Sequence, residues 1–313
     1  MRENNFRTRI TTGSFTLPIA AILTAVLWFL SDPTDKAVWK GILLTALVTY
    51  ALVELNNRNS LLRVRSRMMS STYLLLMAAC PFFAKWSTDM LPAAALTLAY
   101  FPLFAAYQQA SSAGQAFKTS LLISAGSLFY PPMLLLEVVV LSCLLIQLRA
   151  LNWRSLLAVV FGAALPYWFV AGWGIWEGRI DTIFLPYLAA FRFDAPDYST
   201  LQWPYMLLAG YVALLSFIAF VHFVRTAYND KIRTRMYFYV FSLLEAVLIA
   251  ALALQPQKAD VLLRLLIVNS APLIAHHLTL GRGRWANIWF IICLTLLAGI
   301  VGTNHYLWHA GSC

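Results

Sequence analysis

An all-α fold, a polytopic transmembrane helix bundle of about 11 spans, is what this sequence predicts, and three observations predict it. Of its 313 residues 61% are hydrophobic and only 12% charged, whereas a soluble domain of ordinary composition carries roughly 25% charged residues. Too little polar surface is left to cover a globule, and the mean hydropathy of +0.71 agrees. The apolar residues fall in unbroken runs near the length of about 20 that crosses a bilayer core, not in the period-two alternation of barrel strands. The basic residues gather in alternate loops, as the positive-inside rule requires.

The first apolar run, Phe15 to Leu30, follows Arg2, Arg7 and Arg9, the layout of a signal sequence. No small-residue cleavage pattern follows it and another span begins within ten residues, so it is expected to stay as the first helix. Spans are expected at roughly 14–30, 38–54, 69–84, 90–108, 114–130, 132–148, 155–173, 203–224, 236–254, 260–278 and 285–303. Short connections leave no room for a sizeable soluble domain, so residues 1–313 are expected to form one transmembrane domain.

Charge orients it. With the N-terminus in the cytoplasm and the C-terminus outside, 16 of the 23 basic residues fall in inner segments and six in outer ones. The outer loops hold Asp32, Asp35, Asp89, Glu177, Asp181, Asp194, Asp197 and Asp260. The net charge of +10 is thereby explained by topology, and no nucleic-acid partner is implied. Pro131-Pro132 cannot continue a regular helix, so the runs on either side form either a tight hairpin or one broken span. Parity selects the hairpin, because a single span would put Arg225, Lys231, Arg233 and Arg235 outside.

The extracytoplasmic segment 174–202 is the longest outer connection. Its middle, Ile183 to Phe191, is apolar and too short to cross, so it lies in the interface or dips in as a re-entrant piece, which requires protein or water to cover its backbone. Arg179, Asp181, Arg192, Asp194 and Asp197 surround it and form a candidate outer-loop site for an amphiphile with a charged head. Ionisable groups inside spans are the sharper signal, because each costs at least about 2.5–3.5 kcal/mol to insert. Glu137 and Arg264 are expected at one depth toward the outer face, within reach of one another for a pair. Glu245 is expected near the midplane. Asp260, four residues before Arg264, offers it a local partner instead.

Histidines and cysteines supply no metal or redox site. His222, His276 and His277 are expected at the inner surface, and His305 and His309 outside, a bilayer thickness of about 30 Å away. Cys80, Cys143 and Cys293 sit inside apolar runs without a CxxC spacing. No Walker A, GxSxG or HExxH pattern occurs, and no cofactor is expected. The basic loop Asn56 to Arg67 is a topology determinant that touches anionic headgroups.

Lys118, the run Ser127-Leu128-Phe129-Tyr130-Pro131, Asn152-Trp153-Arg154, and Gly162 with Pro166-Tyr167 resemble a family of uncharacterised bacterial inner-membrane proteins of about this length. The asparagine-rich basic loop fits as well. Members have been labelled carotene oxygenases, enzymes built around an iron held by several histidines, and the split histidines here argue against that chemistry. The resemblance implies a bacterial inner membrane and no activity. The functional expectation is a cell-envelope protein handling a lipidic or lipid-linked molecule at the outer side. A proton-coupled small-solute transporter using Glu245 and a scaffold subunit for another membrane protein are the alternatives. Membrane lipids are the expected surroundings throughout.

Overall fold

The computed structural model describes residues 6–31, 35–109, 111–179, 187, 191, 195–281 and 283–310. Among them the chain is helical, with no strand. Twelve α-helices follow one another: α1 Phe6–Thr12, α2 Thr16–Ser31, α3 Lys36–Asn59, α4 Met68–Ala78, α5 Met90–Ala105, α6 Ala113–Ser127, α7 Leu136–Ile146, α8 Trp153–Trp176, α9 Trp203–Thr226, α10 Ile232–Leu254, α11 Ala259–Leu280 and α12 Arg284–His309. Each of the eleven expected spans coincides with one of α2–α12. The sequence reading did not separate α1, a single amphipathic stretch that meets α2 at 85°.

Six helices are long and apolar enough to cross a membrane: α3, α8, α9, α10, α11 and α12. A seventh joins them if the bent α1–α2 pair is one span. Helices α4, α5 and α7 are shorter apolar pieces. A helix rises 1.5 Å per residue, so the 11 residues of α4 cover only about 16 Å. Short helices are tolerated here because protein surrounds them: ten of the residues of α4 are buried. The outside of the bundle is apolar instead, with Leu43, Tyr50, Phe161, Trp168, Phe169 and Phe217 all largely exposed. An apolar surface of this extent needs lipid against it.

Local chemistry sets the breaks. The Asp35 carboxylate accepts from Ala37 N at 2.8 Å and caps α3, and Ser60 closes that helix in the left-handed conformation at φ 49°. Asn152 and Ser155 form a reciprocal capping box at the start of α8. Prolines open short 3-10 turns at Pro81–Ala84, Pro131–Leu135 and Pro256–Lys258, since proline fits where no donor is needed. The diproline turn is the tip of a hairpin. Gln108 N donates to Leu148 O at 2.9 Å, and Ser112 Oγ to Ala150 O at 2.5 Å. The start of α6 therefore lies beside the end of α7.

Contacts between connections sort them into two ends. At one end Ser66 Oγ donates to Thr11 O, Arg63 pairs with Asp230, and Arg233 Nη2 donates to Asn59 Oδ1 at 3.3 Å. At the other, Lys85 pairs with Asp35 at 3.4 Å, Tyr130 OH donates to Gln255 Oε1 at 2.5 Å, and Trp308 packs edge-on against Phe82. The first end carries Arg58, Arg63, Arg65, Arg67, Lys231, Arg233 and Arg235.

The centre is α11. Nearly all of its residues are buried, and it packs against α4, α5, α9 and α10. On the flank, α6 lies between α5 and α8. Ser120 Oγ and Ser124 Oγ of α6 donate to Val159 O and Ala163 O of α8 at 2.7 and 2.6 Å. Small residues let the two backbones approach this closely: a Cβ on Gly162 would stand 2.7 Å from Phe117 O.

Candidate functional site

Because α11 is the buried centre, its long polar side chains are expected to find partners inside the bundle. Three do so at successive heights: Arg264, Asn269 and His276. At 1.5 Å per residue they stand about 7.5 and 10.5 Å apart along the axis.

Arg264, 2% exposed, lies toward the Asp35–Lys85 end. Its Nε is 3.1 Å and its Nη2 3.3 Å from the two carboxylate oxygens of Asp260. It also donates to Phe83 O and Phe82 O, both at 3.4 Å, and its guanidinium sits 4.5 Å from the Phe83 ring centroid. Those carbonyls belong to the unwound stretch after α4. The same stretch is held by Asn304 Nδ2, which donates to Ala79 O at 2.9 Å, and by His305 Nε2, 3.1 Å from Ala78 O. Tyr205 OH donates to Asp260 Oδ1 at 3.3 Å and stacks on Phe82. Asp89, at the mouth of this cluster, has its carboxyl held above the ordinary range by burial and by the adjacent Asp260 charge, against the pull of Arg264 and Lys258.

Arg264 thus takes the local partner the sequence offered, and the expected Glu137–Arg264 pair does not form. Shared depth says nothing of azimuth. Glu137 opens α7 on the α6–α8 flank, 7% exposed, beside Ser120. Among the described residues its carboxyl oxygens have no partner other than the neighbouring Ser120 hydroxyl.

Asn269 organises the middle of the bundle. Its Nδ2 donates to Phe241 O at 2.9 Å and to Glu245 Oε2 at 2.6 Å, while its Oδ1 accepts from Tyr100 OH at 2.6 Å. The Phe241 carbonyl can only accept, which fixes the amide orientation. Tyr100, Asn269 and Glu245 come from α5, α11 and α10, and all three are at least 96% buried. Among the described residues Glu245 Oε1 and the hydroxyl of buried Ser216 on α9 have no partner other than one another, and the two lie side by side. A serine hydroxyl donates to a carboxylate or accepts from a carboxylic acid. The Asn269–Glu245–Ser216 arrangement therefore suits either protonation state of one acid.

His276, two turns beyond Asn269, faces the basic end. Its Nε2 is 3.1 Å from Asp230 Oδ2, whose other oxygen lies 2.6 Å from Arg63 Nε. The His276 ring packs on Phe238 at 4.5 Å. His222 and His277 stand 4.6 Å apart beside it. Among the described residues no group of histidine, cysteine and acidic side chains has the arrangement of a metal site. Between Asn269 and His276 the rings of Tyr100, Phe241 and Phe238 contact one another in turn, at 4.9 and 6.0 Å, and make an aromatic plug.

The outer-loop candidates divide. Arg179 pairs with Glu177 at 4.0 Å. Asp197 accepts from Ser199 N and Oγ at 2.9 and 2.6 Å, which holds its carboxyl below the ordinary range. Asp181, Arg192 and Asp194, with the apolar stretch 183–191 save Tyr187 and Phe191, lie outside the described residues. The anchored end of the segment rests on the turn after α10: Tyr198 OH donates to Ala253 O at 2.7 Å, and Gln257 Nε2 to Ala195 O at 3.1 Å.

Sequence reasoning missed Asn269, Tyr100, Ser216 and the Asp230–His276 contact. An asparagine inside an apolar run is a visible signal, since a polar amide at that depth needs partners. Nothing local marks Asp230, whose partners come from residues 46 and 167 positions away. No family model, no curated protein and no solved structure matches the chain.

Proposed function

We propose that the protein is a multi-pass protein of a bacterial inner membrane that moves a small solute with a proton carried by Glu245. On this reading the chain crosses about eleven times, with its N-terminus in the cytoplasm and its C-terminus outside. Two observations support that topology. The interhelical connections gather into two ends in alternation, and the end carrying the basic loop is the one the positive-inside rule assigns to the cytoplasm. The resemblance of residues 118–170 to inner-membrane proteins points to the same membrane.

The single observation that carries the transport reading is the environment of Glu245. An acid at the middle of a bundle is costly and by default marks a functional site. This one has one oxygen fixed by Asn269 and the other facing a serine that can donate or accept. Such a site takes up and releases a proton without rearranging its neighbours. The aromatic plug toward His276 closes one route to it, as alternating access requires of a conformer shut on that side. Handling of a lipid-linked molecule at the outer side rests on the mixed-charge segment 174–202 beside Glu137 and Arg264, and Asp181, Arg192 and Asp194 of that segment lie outside the described residues. Arg264 is engaged by Asp260 and two carbonyls, so the proton-coupled reading takes precedence.

The test uses proteoliposomes on a solid-supported membrane, challenged with a panel of sugars, amino acids, nucleosides and carboxylic acids under an inward proton gradient. Wild-type protein gives a proton-driven current for a member of the panel, and Glu245→Gln gives none. The glutamine keeps the bond from Asn269 and donates to Ser216, so it mimics the protonated acid. Identical, gradient-independent responses from the two proteins across the panel would sink the proposal.

A further inference from the structure

A second site lies at the basic end, and it does not depend on the Glu245 reading. Helices α2 and α3 touch little and diverge around an apolar groove of about 440 Å³, within the 300–1,000 Å³ range of ligand sites. Ala21, Ala25, Ile42, Ala46 and Val53 line it. Small residues on both helices leave the space open. From Leu17 to Trp28 the groove follows α2 for twelve residues, a rise of about 16 Å. Its mouth is not apolar. Leu17 and Arg67 belong both to the groove and to a polar cavity of about 800 Å³ between the α1–α2 corner at Thr12, Gly13 and Ser14 and the segment Val64–Arg67. Arg65 and Arg67 face that cavity, and among the described residues no acidic side chain lines it and neither arginine makes an ion pair. Arg63, by contrast, is neutralised by Asp230.

We infer that one anionic membrane lipid binds here, its phosphate on Arg65 and Arg67 and one acyl chain along the α2–α3 groove. The charge selects the head: two unpaired guanidinium groups above an acid-free cavity match a phosphodiester. The continuity of cavity and groove selects a lipid over a soluble anion, because a free phosphate would leave the groove unused. A basic cluster beside a bilayer surface attracts anionic lipid in any case. The groove converts that attraction into one defined position.

The experiment is native mass spectrometry of the full-length protein released from nanodiscs of phosphatidylcholine containing graded amounts of phosphatidylglycerol. The expected result is one phosphatidylglycerol retained per protein, undisturbed by millimolar inorganic phosphate. Losing an arginine at a membrane surface weakens lipid affinity about fivefold, so Arg65→Gln with Arg67→Gln together weaken it about 30-fold. Ala46→Trp fills the groove, leaves the arginines in place and abolishes retention. Ala25→Leu does the same more gently, and thermal unfolding of each variant separates lost binding from lost fold. Equal retention of phosphatidylcholine, or an unchanged affinity in the arginine double variant, would overturn the site in favour of ordinary annular lipid. Displacement by inorganic phosphate together with indifference to both groove-filling variants would overturn it in favour of a free-anion site.

Discussion

Replacing Asn269 with leucine tests the Glu245 site through its scaffold. The two side chains have similar size, so the change removes hydrogen bonds with little cavity. Three bonds go: to Phe241 O, to Glu245 Oε2 and from Tyr100 OH. Side-chain hydrogen bonds between membrane helices are worth about 0.6 kcal/mol on average and up to about 1.7. Losing three places Asn269→Leu about 2–5 kcal/mol below wild type. Glu245→Gln retains the bond from Asn269 and gains one to Ser216, so it should stay within about 1 kcal/mol of wild type. The assay is reversible unfolding in mixed micelles at rising SDS fraction, followed by helicity. A loss below about 1 kcal/mol for Asn269→Leu, or a Glu245→Gln loss exceeding it, would refute the account of the amide as the organiser of this acid.

Further perturbations read other parts of the molecule. Asp89→Asn should raise the melting temperature at pH 7.5: the folded carboxyl titrates above its ordinary range, so its stabilising contribution is full below the unfolded pKa and lost as pH rises through the folded one. The asparagine removes that loss, and the difference in melting temperature should close as pH falls below about 4; a difference that widens on acidification would contradict the sign. Gly41→Ala should cost about 1–3 kcal/mol, because its Cβ would stand 2.1 Å from Ala84 O on the backbone that α3 packs against. Gly210→Ala meets nothing within 4 Å and should be neutral or stabilising in the same thermal assay. Finally, with Cys313 replaced by serine and the other three cysteines buried, Ser199→Cys in intact cells should react with an impermeant maleimide. Asn57→Cys should react only after permeabilisation, and the reverse pattern would invert the topology.

The helix positions were legible because lipid imposes one rule on every residue of a span. All eleven expected segments coincide with helices, and the diproline hairpin followed from charge parity before Gln108 and Leu148 were seen side by side. Lengths were less legible. The runs at 69–84 and 132–148 are predominantly apolar, yet each divides into a 3-10 turn and an 11-residue helix, because proline ends a ladder without ending an apolar run. The site was legible only in height. Hydropathy gives a residue's depth, and depth placed Glu137 beside Arg264. Rotation about the helix axis decides contact, and it is fixed by packing among α4, α5, α9, α10 and α11 that no single run encodes. The Asp260–Arg264 contact was legible because four residues along one helix fix depth and azimuth together.

The break after α4 explains why the conspicuous arginine is the lesser functional candidate. When a helix ends within a bundle, its last carbonyls lose their partners, and each buried orphan costs several kcal/mol where water is absent. Here Ala78, Ala79, Phe82 and Phe83 are the orphans, and His305, Asn304 and Arg264 meet them. His305 Nε2 faces a carbonyl, which can only accept, so this nitrogen carries the proton and has no lone pair for a metal. His305 therefore answers a backbone need. Arg264 answers the same need from the other side of the break, with its charge matched by Asp260. Glu245 differs in kind. Among the described residues it repairs no broken backbone and neutralises no neighbouring charge, yet Asn269 and Ser216 from two other helices meet it, and Tyr100 from a third holds Asn269. A buried acid whose surroundings are built for it and whose structural contribution is small is the group on which a transport cycle would turn.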